Sequence, residues 1–380
     1  MEYRQLGRCG LRVSELTLGT MTFGGRGMFE AVGGTEIKDA RRQVDIALDA
    51  GINLFDSADV YSYGAAEEIL GQALAGRRDR ALIATKGRFR MGPGANDVGA
   101  SRYHLIKACE ASLRRLETDH IDLYQVHHWD GQTPLEETLG ALDHLVQSGK
   151  VRYVGTSNFA GWQMMKALGA AREAGLPEFV SHQVYLSLLE RSAEYEIVPS
   201  ALDRGLGLLV WSPLGGGLLS GKYRRGQAPP EGARLANGWH EPPVHDEAKL
   251  WDTVDVLVEI ADGHGVSPAR VAVAWLLARP GVTTVICGAR NDEQLADNLA
   301  AVDLTLSAEE MNRLEEVSRP PLIYPFWHQR KKAADRLSAA DLSLIGPYLE
   351  RDERGEDSSG VKPAPPVNLA QARSRRSSAG

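Results

Sequence analysis

The sequence predicts an α/β protein in which eight β–α units close into a (β/α)8 TIM barrel. Short apolar segments of strand length alternate with longer amphipathic segments along most of the 380 residues. Each amphipathic segment follows its apolar partner after a short connection, which is the pattern of parallel strands joined by helices. An open, doubly wound sheet is the alternative fold. It is disfavoured because no GxGxxG motif follows the first apolar segment.

The strands are predicted where apolar runs end in glycine or polar residues, and the helices where apolar residues recur with helical spacing. Ser101 is a plausible helix N-cap, and Gly51 is a plausible C-terminal cap of the first helix. The eight predicted strands are residues 16–19, 52–55, 82–85, 121–126, 150–155, 180–184, 208–211 and 282–287. The predicted helices are residues 39–50, 65–74, 101–116, 135–146, 162–173, 198–204, 268–279 and 292–301.

Some segments lie outside the repeat. Residues 2–13 predict an N-terminal β-hairpin, and a long Gly- and Pro-rich insertion at 221–245 precedes an extra helix at 246–261. The chain is therefore divided into a barrel at 1–318, an extension at 319–351 near the active-site mouth, and a disordered tail at 352–380. Long loops on a barrel often serve as lids. The aromatic residues expected in these lids are Trp239, Tyr324, Phe326 and Trp327.

Composition excludes several classes of function. The net charge of −7 offers no basic face for nucleic acid, and the one basic cluster, 373–376, lies in the Ser-rich tail. Cys9, Cys109 and Cys287 form no CxxC pair, so neither a disulfide scaffold nor a zinc site is expected and a cytoplasmic location fits best. No signal peptide or membrane span is expected, since the apolar runs are too short. Without a heptad pattern, the oligomeric state stays open.

Four polar residues follow three successive predicted strands. Asp56 and Tyr61 come after the second strand, Lys86 after the third and His127 after the fourth. Because the carboxyl ends of parallel strands meet at one end of a barrel, these side chains are expected to converge. An ammonium beside a phenol favours the phenolate, so Lys86 is expected to lower the pKa of Tyr61 and make it a better proton donor.

With these residues in view, the chain resembles the aldo-keto reductase family over about residues 3–318. The order and spacing of several blocks carry the resemblance, and their form is more similar to the bacterial branches and the potassium-channel β subunits than to the aldose reductase branch. The blocks are Gly19-Thr-Met-Thr-Phe-Gly24, Asp56-Ser-Ala-Asp-Val-Tyr-Ser-Tyr-Gly64, Thr85-Lys86, Asp122-Leu-Tyr-Gln-Val-His127, Gly149-Lys-Val-Arg-Tyr-Val-Gly-Thr-Ser-Asn-Phe159, Gln183, Trp211-Ser-Pro-Leu-Gly215, Ser220-Gly-Lys-Tyr223 and Gly288-Ala-Arg290.

The resemblance implies a reductase that transfers hydride from NADPH to an aldehyde or ketone, or runs the reverse reaction on the alcohol. Tyr61 would be the general acid, Lys86 and Asp56 would assist it, and His127 would orient the substrate oxygen. His128, beside it, is expected in a loop near the mouth. A metal site at this doublet is not expected, because adjacent residues at a strand end point apart and no ligand set accompanies them.

The resemblance also implies a nicotinamide site, since no protein side chain donates hydride. Ser157, Asn158 and Gln183 would bind the carboxamide, Trp211 would stack on the ring, and Arg290 suits the 2′-phosphate of NADP. The other implied cofactor residues are Gly19, Thr20, Met21, Asp56, Ser212, Pro213, Leu214, Gly215, Gly217, Lys222, Gly288, Gln294, Asp297 and Asn298. The expected substrate pocket is formed by Phe23, Tyr61, Arg88, His127 and Trp129, with Tyr63 beside them.

Two other functions remain as alternatives. A nucleotide-sensing regulatory subunit, as in the potassium-channel β proteins, would keep the cofactor site with little turnover. An isomerase or lyase on a (β/α)8 barrel would not need the expected pyrophosphate and Gly-Ala-Arg blocks. Turnover of small aldehydes separates the reductase from both.

Overall fold

The computed structural model describes residues 1–230, 234, 238–239 and 241–349. Eight parallel strands close into a barrel, in which each strand pairs with the next and the last pairs with the first. The predicted fold class is therefore confirmed. The barrel strands are β3 (Leu16–Gly19), β4 (Leu54–Asp56), β5 (Leu82–Gly87), β6 (Ile121–Val126), β7 (Val151–Ser157), β8 (Ser181–Tyr185), β9 (Gly207–Trp211) and β10 (Val282–Cys287).

The strands are covered on both faces, which explains why they read as continuous apolar runs. All six residues of β6 are buried, for example. Leu54, Ala84, Leu123 and Leu209 come from four different strands and pack in one cluster with Ile286. A larger apolar cluster joins the strands to the surrounding helices.

Helices follow the strands around the outside of the barrel, as predicted. Ser101 caps the third helix by accepting a hydrogen bond from the His104 N–H at 3.2 Å. The sixth helix begins at Ala193, earlier than predicted, and contains Pro199. The extra helix predicted at 246–261 is present at Glu247–His264. The helices are α1 (Ile37–Asp49), α2 (Ala65–Ala73), α3 (Arg102–Arg115), α4 (Leu135–Gln147), α5 (Gly161–Glu173), α6 (Ala193–Arg204), α7 (Glu247–His264), α8 (Pro268–Leu277), α9 (Asp292–Leu299), α10 (Ala308–Ser318), α11 (Phe326–Lys332) and α12 (Ala339–Ile345).

The predicted N-terminal hairpin is also present. Strands β1 (Tyr3–Gln5) and β2 (Arg12–Ser14) pair in antiparallel fashion. Leu6 and Val13 are fully buried against the barrel-interior cluster. The hairpin thus covers the end of the barrel at which the strands begin, and leaves the opposite end for a site.

The C-terminal extension packs against α6. The Tyr195 hydroxyl on α6 donates to the carbonyl of Pro321, and the Tyr195 and Phe326 rings stack with centroids 5.8 Å apart. Tyr324 and Trp327 are exposed. Tyr324, Phe326 and Trp327 do not line the main cavity of the barrel, and Tyr195 on α6 is the aromatic partner of Phe326. The tail predicted at 352–380 lies outside the described residues.

None of the helices within the described ranges combines the length and apolarity needed to cross a membrane.

Candidate active site

A cavity of about 660 Å³ lies at the end of the barrel where the strands finish. The register of the sheet brings the site residues there: Gly19 pairs with Asp56, and Lys86 pairs with Gln125. Three of the four predicted catalytic residues line the cavity, and Lys86 is buried beneath them. Most of the predicted cofactor residues also line it, namely Gly19, Thr20, Met21, Asp56, Asn158, Gln183, Trp211, Ser212, Pro213, Leu214, Gly217, Lys222, Gly288, Arg290, Gln294, Asp297 and Asn298.

The ammonium of Lys86 links the carboxylate of Asp56 to the phenol of Tyr61. Lys86 is fully buried, and its Nζ donates to Asp56 Oδ2 at 2.6 Å, to the Ser57 carbonyl at 2.7 Å and to Tyr61 Oη at 3.3 Å. The other carboxylate oxygen of Asp56 accepts from Gln183 Nε2 at 2.8 Å. A buried ion pair needs such extra hydrogen bonds to offset its lost hydration. The pair therefore holds one orientation and directs a positive charge at the phenol.

The net pKa of Tyr61 differs from the sequence-based expectation. Burial raises the pKa of this phenol above its ordinary value, the ammonium of Lys86 lowers it, and the negative charges of Asp56 and Glu241 raise it. Lys86 acts in the predicted direction, but burial outweighs it because a phenolate loses more hydration than a phenol. The phenol therefore carries its proton at neutral pH.

His127 is a neutral imidazole beside that phenol. Burial lowers its pKa well below the ordinary value, and the positive charge of Lys86 lowers it further. Its ring meets the Tyr61 ring edge-on at 5.9 Å and the Phe89 ring at 4.6 Å. Its Nδ1 is buried and has no hydrogen-bond partner in the described part of the protein. His128 also lines the cavity, as expected for a residue at the mouth.

Asn158, Gln183 and Trp211 form a polar shelf in the cavity. Asn158 adopts a left-handed backbone conformation with φ of 56°, its Oδ1 accepts from Trp211 Nε1 at 3.0 Å, and its Nδ2 donates to the His127 carbonyl at 3.2 Å. One face of Trp211 stacks on Tyr185 at 4.8 Å. Ser157 does not line the cavity; its hydroxyl is buried and donates to the Gln183 carbonyl at 3.2 Å.

The glycine loop after β9 uses its own N–H groups. Gly215 donates to the Ser212 carbonyl and Gly217 to the Leu214 carbonyl, both at 2.9 Å, while the Gly216 N–H donates to Ser212 Oγ at 3.2 Å. In this structure the N–H groups of these three glycines are donated within the turn itself. Gly217 has φ of 103°, and a Cβ there would lie 3.3 Å from Lys222 Nζ. Its lack of a side chain leaves room for that ammonium.

Three cations gather at one part of the cavity lining: Lys222, Arg234 and Arg290. Burial lowers the pKa of Arg234 to about 10, and the nearby charge of Arg290 lowers it too. Burial likewise lowers the pKa of Lys222, with further lowering from both arginines. Arg290 also donates to the carbonyls of residues 31 and 32 at 2.7 and 2.9 Å. A cluster of mutually repelling cations is suited to bind an anion such as phosphate.

The residues after β10 are tied together around this cluster. Gln294 Oε1 accepts from the Arg290 N–H at 3.0 Å, and Asn298 Nδ2 donates to the Gly288 carbonyl at 3.4 Å. Asp297 forms a salt bridge with Arg270 at 2.8 Å, so its negative charge is already paired and does not neutralise the three cations.

Four residues predicted in or beside the substrate pocket do not line the cavity. Tyr63 is exposed. Phe23 is fully buried in a small cluster with Ala40 and Ala66. Arg88, with φ of 138°, donates to the Trp129 carbonyl at 3.3 Å. Trp129 packs edge-on against Phe159 at 5.3 Å. The resemblance implied these positions, but burial of Phe23 and the loop contacts of Arg88 and Trp129 keep these side chains out of the cavity lining.

The sequence analysis missed several residues that do line the cavity. Phe29 and Phe89 supply aromatic rings, Met28 lies beside them, and Glu241 contributes a carboxylate from the insertion. They carry no motif, and only their position in loops above the strand ends could have pointed to them. Trp239 lines the cavity with them, as expected for a lid aromatic. Across the described residues, no three His, Cys, Asp or Glu side chains gather in a way that could hold a metal ion.

Comparisons with known proteins agree with this geometry. Residues 15–319 match the Aldo/keto reductase family. The chain is 42% identical to the "Uncharacterized oxidoreductase YrpG" of Bacillus subtilis, over 84% of this chain and 97% of the relative. It is 37% identical to the "Probable voltage-gated potassium channel subunit beta" of Arabidopsis thaliana, over 83% and 96%. It is 34% identical to the "Versiconal hemiacetal acetate reductase" of Aspergillus parasiticus, over 86% and 99%.

Proposed function

Because this chain belongs to the aldo/keto reductase family, we propose that it is an NADPH-dependent reductase that converts an aldehyde or ketone to an alcohol. The observation that carries the proposal is the buried chain of Asp56, Lys86 and Tyr61, which ends at a protonated phenol in the cavity. We assign catalysis to the barrel at 1–318 and treat 319–351 as a C-terminal extension near the active-site mouth. Free cysteines at positions 9, 109 and 287 support a cytoplasmic location.

The residues present fit a dinucleotide. Asn158 and Gln183 offer amide groups beside Trp211, whose second face is free to stack on a flat ring. Lys222, Arg234 and Arg290 would hold the phosphates, and their excess of positive charge favours NADP over NAD, which has one phosphate fewer. Gln294 and Asn298 would face the adenosine, and Gly19, Thr20 and Met21 would border the nicotinamide.

When bound, the reduced nicotinamide supplies the hydride that the protein lacks. The chain's own groups then handle the proton. Tyr61 Oη donates its proton to the substrate oxygen as negative charge develops there, and the Lys86 ammonium at 3.3 Å stabilises the phenolate that remains. Asp56 fixes the position of that ammonium.

His127 orients the substrate oxygen rather than supplying its proton. Its pKa lies well below the ordinary value, chiefly because it is buried, so it is a neutral donor near pH 7. A ring N–H can therefore hydrogen-bond the carbonyl without competing with Tyr61 as the acid.

A nucleotide-sensing regulatory subunit is the second candidate. The similarity to the Arabidopsis protein named "Probable voltage-gated potassium channel subunit beta" favours it. The complete set of Asp56, Tyr61, Lys86 and His127 favours turnover instead, because a binding site alone needs no proton donor.

The test combines binding and turnover. Dissociation constants for NADPH and NADH are measured by fluorescence, and oxidation of NADPH is followed with a panel of aldehydes and ketones. The proposal predicts tighter binding of NADPH and steady turnover of at least one carbonyl compound. Tight binding without turnover across the panel would instead support the regulatory function, and tighter binding of NADH would overturn the cofactor assignment.

A further inference from the structure

The proposed general acid is the first residue of a strained turn. This turn, here called the Tyr61 turn, comprises Tyr61–Gly64 and directly precedes α2. Ser62 and Tyr63 both have left-handed backbone conformations, with φ of 49° and 54°. Such a conformation is unfavourable for a residue other than glycine, because its Cβ crowds the backbone. Two of them in succession persist only where neighbouring contacts hold them in place.

The side chain of Ser62 makes two such contacts. Ser62 is fully buried, and its hydroxyl donates to the Phe23 carbonyl at 2.8 Å and accepts from the Arg26 N–H at 3.4 Å. Phe23 is fixed in turn by burial and by a backbone bridge to Thr35. Both partners belong to the loop after β3, whereas Ser62 follows β4. One hydroxyl therefore ties the Tyr61 turn to the neighbouring loop.

The same loop also packs against both tyrosines of the turn. The Phe29 ring meets the Tyr61 ring edge-on at 5.9 Å. The Tyr63 ring lies on the backbone of Gly27, where an added Cβ would be 2.7 Å from Tyr63 Cε2. The hydrogen bonds of Ser62 thus lie within a packed contact between two loops, and that contact includes the general acid.

The far end of the Tyr61 turn is held from α3. A Cβ on Gly64 would lie 2.7 Å from Arg115 Cδ. Arg115 Nε donates to the buried carboxylate of Glu67 at 2.7 Å, and the Thr85 hydroxyl donates to the same carboxylate at 2.5 Å. The turn is therefore held on both sides, and the Ser62 hydroxyl acts on the residue next to Tyr61.

We propose that Ser62 is a positioning residue that holds the Tyr61 hydroxyl in place for proton transfer. The inference rests on the proposed reductase function, because its effect runs through Tyr61. Ser62 does not line the cavity, so it acts on the general acid rather than on the cofactor or the substrate. Without its two hydrogen bonds the turn relaxes from the left-handed conformation, and Tyr61 Oη shifts relative to the Lys86 ammonium, 3.3 Å away. A misplacement of about 1 Å at a reacting group can cost about a hundredfold in rate.

The experiment compares Ser62→Ala and Ser62→Gly with the wild type on the carbonyl compound that the wild type reduces fastest. The kcat is referred to the concentration of NADPH-binding sites, so that unfolded protein is not counted. We expect both variants to lose about tenfold in kcat, with a Kd for NADPH within about twofold of the wild type. Ser62→Gly should unfold at a urea concentration at least as high as Ser62→Ala, because glycine adopts a φ of 49° without strain. A loss of rate that does not follow stability is the mark of positioning.

Ser14 provides a matched control at the end of the barrel where the strands begin. It is fully buried, and its hydroxyl donates to the Leu16 carbonyl at 2.6 Å and accepts from the Asn53 N–H at 3.1 Å. Ser14→Ala removes the same pair of hydrogen bonds. It should lower stability without lowering kcat per binding site, because no contact connects this serine to the Tyr61 turn among the hydrogen bonds that it makes.

A second comparison tests whether Ser62 acts through Tyr61. Adding Ser62→Ala to Tyr61→Phe should lower the residual rate by less than about twofold, since the hydroxyl that Ser62 positions is already gone. Wild-type kcat in Ser62→Ala and Ser62→Gly would overturn the inference and leave the reductase assignment intact. An equal loss of kcat in Ser14→Ala, or a further tenfold loss in the Tyr61→Phe background, would overturn it as well. A wild type that reduces no carbonyl compound of the panel would overturn the reductase assignment and this inference with it.

Discussion

The buried Lys86–Asp56 pair should contribute a large coupling free energy to the stability of the fold. Its magnitude follows from the geometry of the pair. The Nζ and Oδ2 atoms are 2.6 Å apart and both side chains are almost wholly buried. Coulomb attraction at that distance is about 6 kcal/mol with an effective dielectric constant of about 20. Lost hydration offsets part of it, so we expect a coupling free energy of about 3 kcal/mol.

The assay is a double-mutant cycle. Urea unfolding near neutral pH is measured for the wild type, Lys86→Met, Asp56→Asn and the double variant. Each single change leaves a buried polar partner behind and should cost about 3–5 kcal/mol, whereas the double change should cost clearly less than the sum. In Lys86→Met the carboxylate keeps only amide donors, such as Gln183 Nε2 at 2.8 Å.

The chain offers a matched control in Lys150 and Glu110. Their Nζ–Oε1 distance is also 2.6 Å, but their side chains are 34% and 41% exposed. The same cycle with Lys150→Met and Glu110→Gln should give a coupling of about 0.5 kcal/mol, because water screens the pair. Equal coupling in the two pairs would refute the argument that burial, rather than distance, sets the strength of the Lys86–Asp56 interaction.

Three further predictions follow from the site and the core. Lys222→Met should weaken NADPH binding about tenfold, since one cation leaves the phosphate cluster; fluorescence titration measures it, and the exposed Lys38→Met should bind as the wild type does. The rate of carbonyl reduction should stay level from about pH 6 to about pH 9, because burial raises the pKa of Tyr61 above that range and lowers the pKa of His127 below it. A midpoint near pH 7 in the rate profile would contradict this prediction. Burial lowers the pKa of His182 to about 4, so the folded state binds fewer protons than the unfolded one between that value and about 6.5, and stability falls as pH drops through this window. The loss between about pH 8 and about pH 5 should be about 2 kcal/mol smaller in His182→Gln, measured by urea unfolding, and an equal loss would show that this imidazole is not held neutral.

The barrel could be predicted from the sequence because its strands are short apolar runs with a regular helical segment after each. The same regularity predicted that Asp56 and Lys86 lie close together, because side chains at the carboxyl ends of neighbouring parallel strands meet at one end of the barrel. The helix that contains Pro199 was predicted too short, because a proline near a helix start resembles a helix boundary.

What the sequence did not predict lies mostly in loops. Arg88 has a positive φ, and its side chain hydrogen-bonds the Trp129 carbonyl. No pattern in the sequence predicts this backbone conformation. Glu241 enters the cavity from an insertion whose path depends on tertiary contacts. The net pKa of Tyr61 was also beyond sequence analysis, because it depends on how far burial exceeds the effect of one ammonium.

The most direct test of the account is the proton donor itself. Tyr61→Phe removes the hydroxyl but keeps the ring against Phe29, and Tyr63→Phe makes the same change on an exposed ring two residues away. We predict that Tyr61→Phe lowers kcat for carbonyl reduction at least about a hundredfold with an unchanged Kd for NADPH, while Tyr63→Phe stays within about twofold of the wild type. A Tyr61→Phe enzyme that reduces the carbonyl compound at the wild-type rate would contradict the central claim.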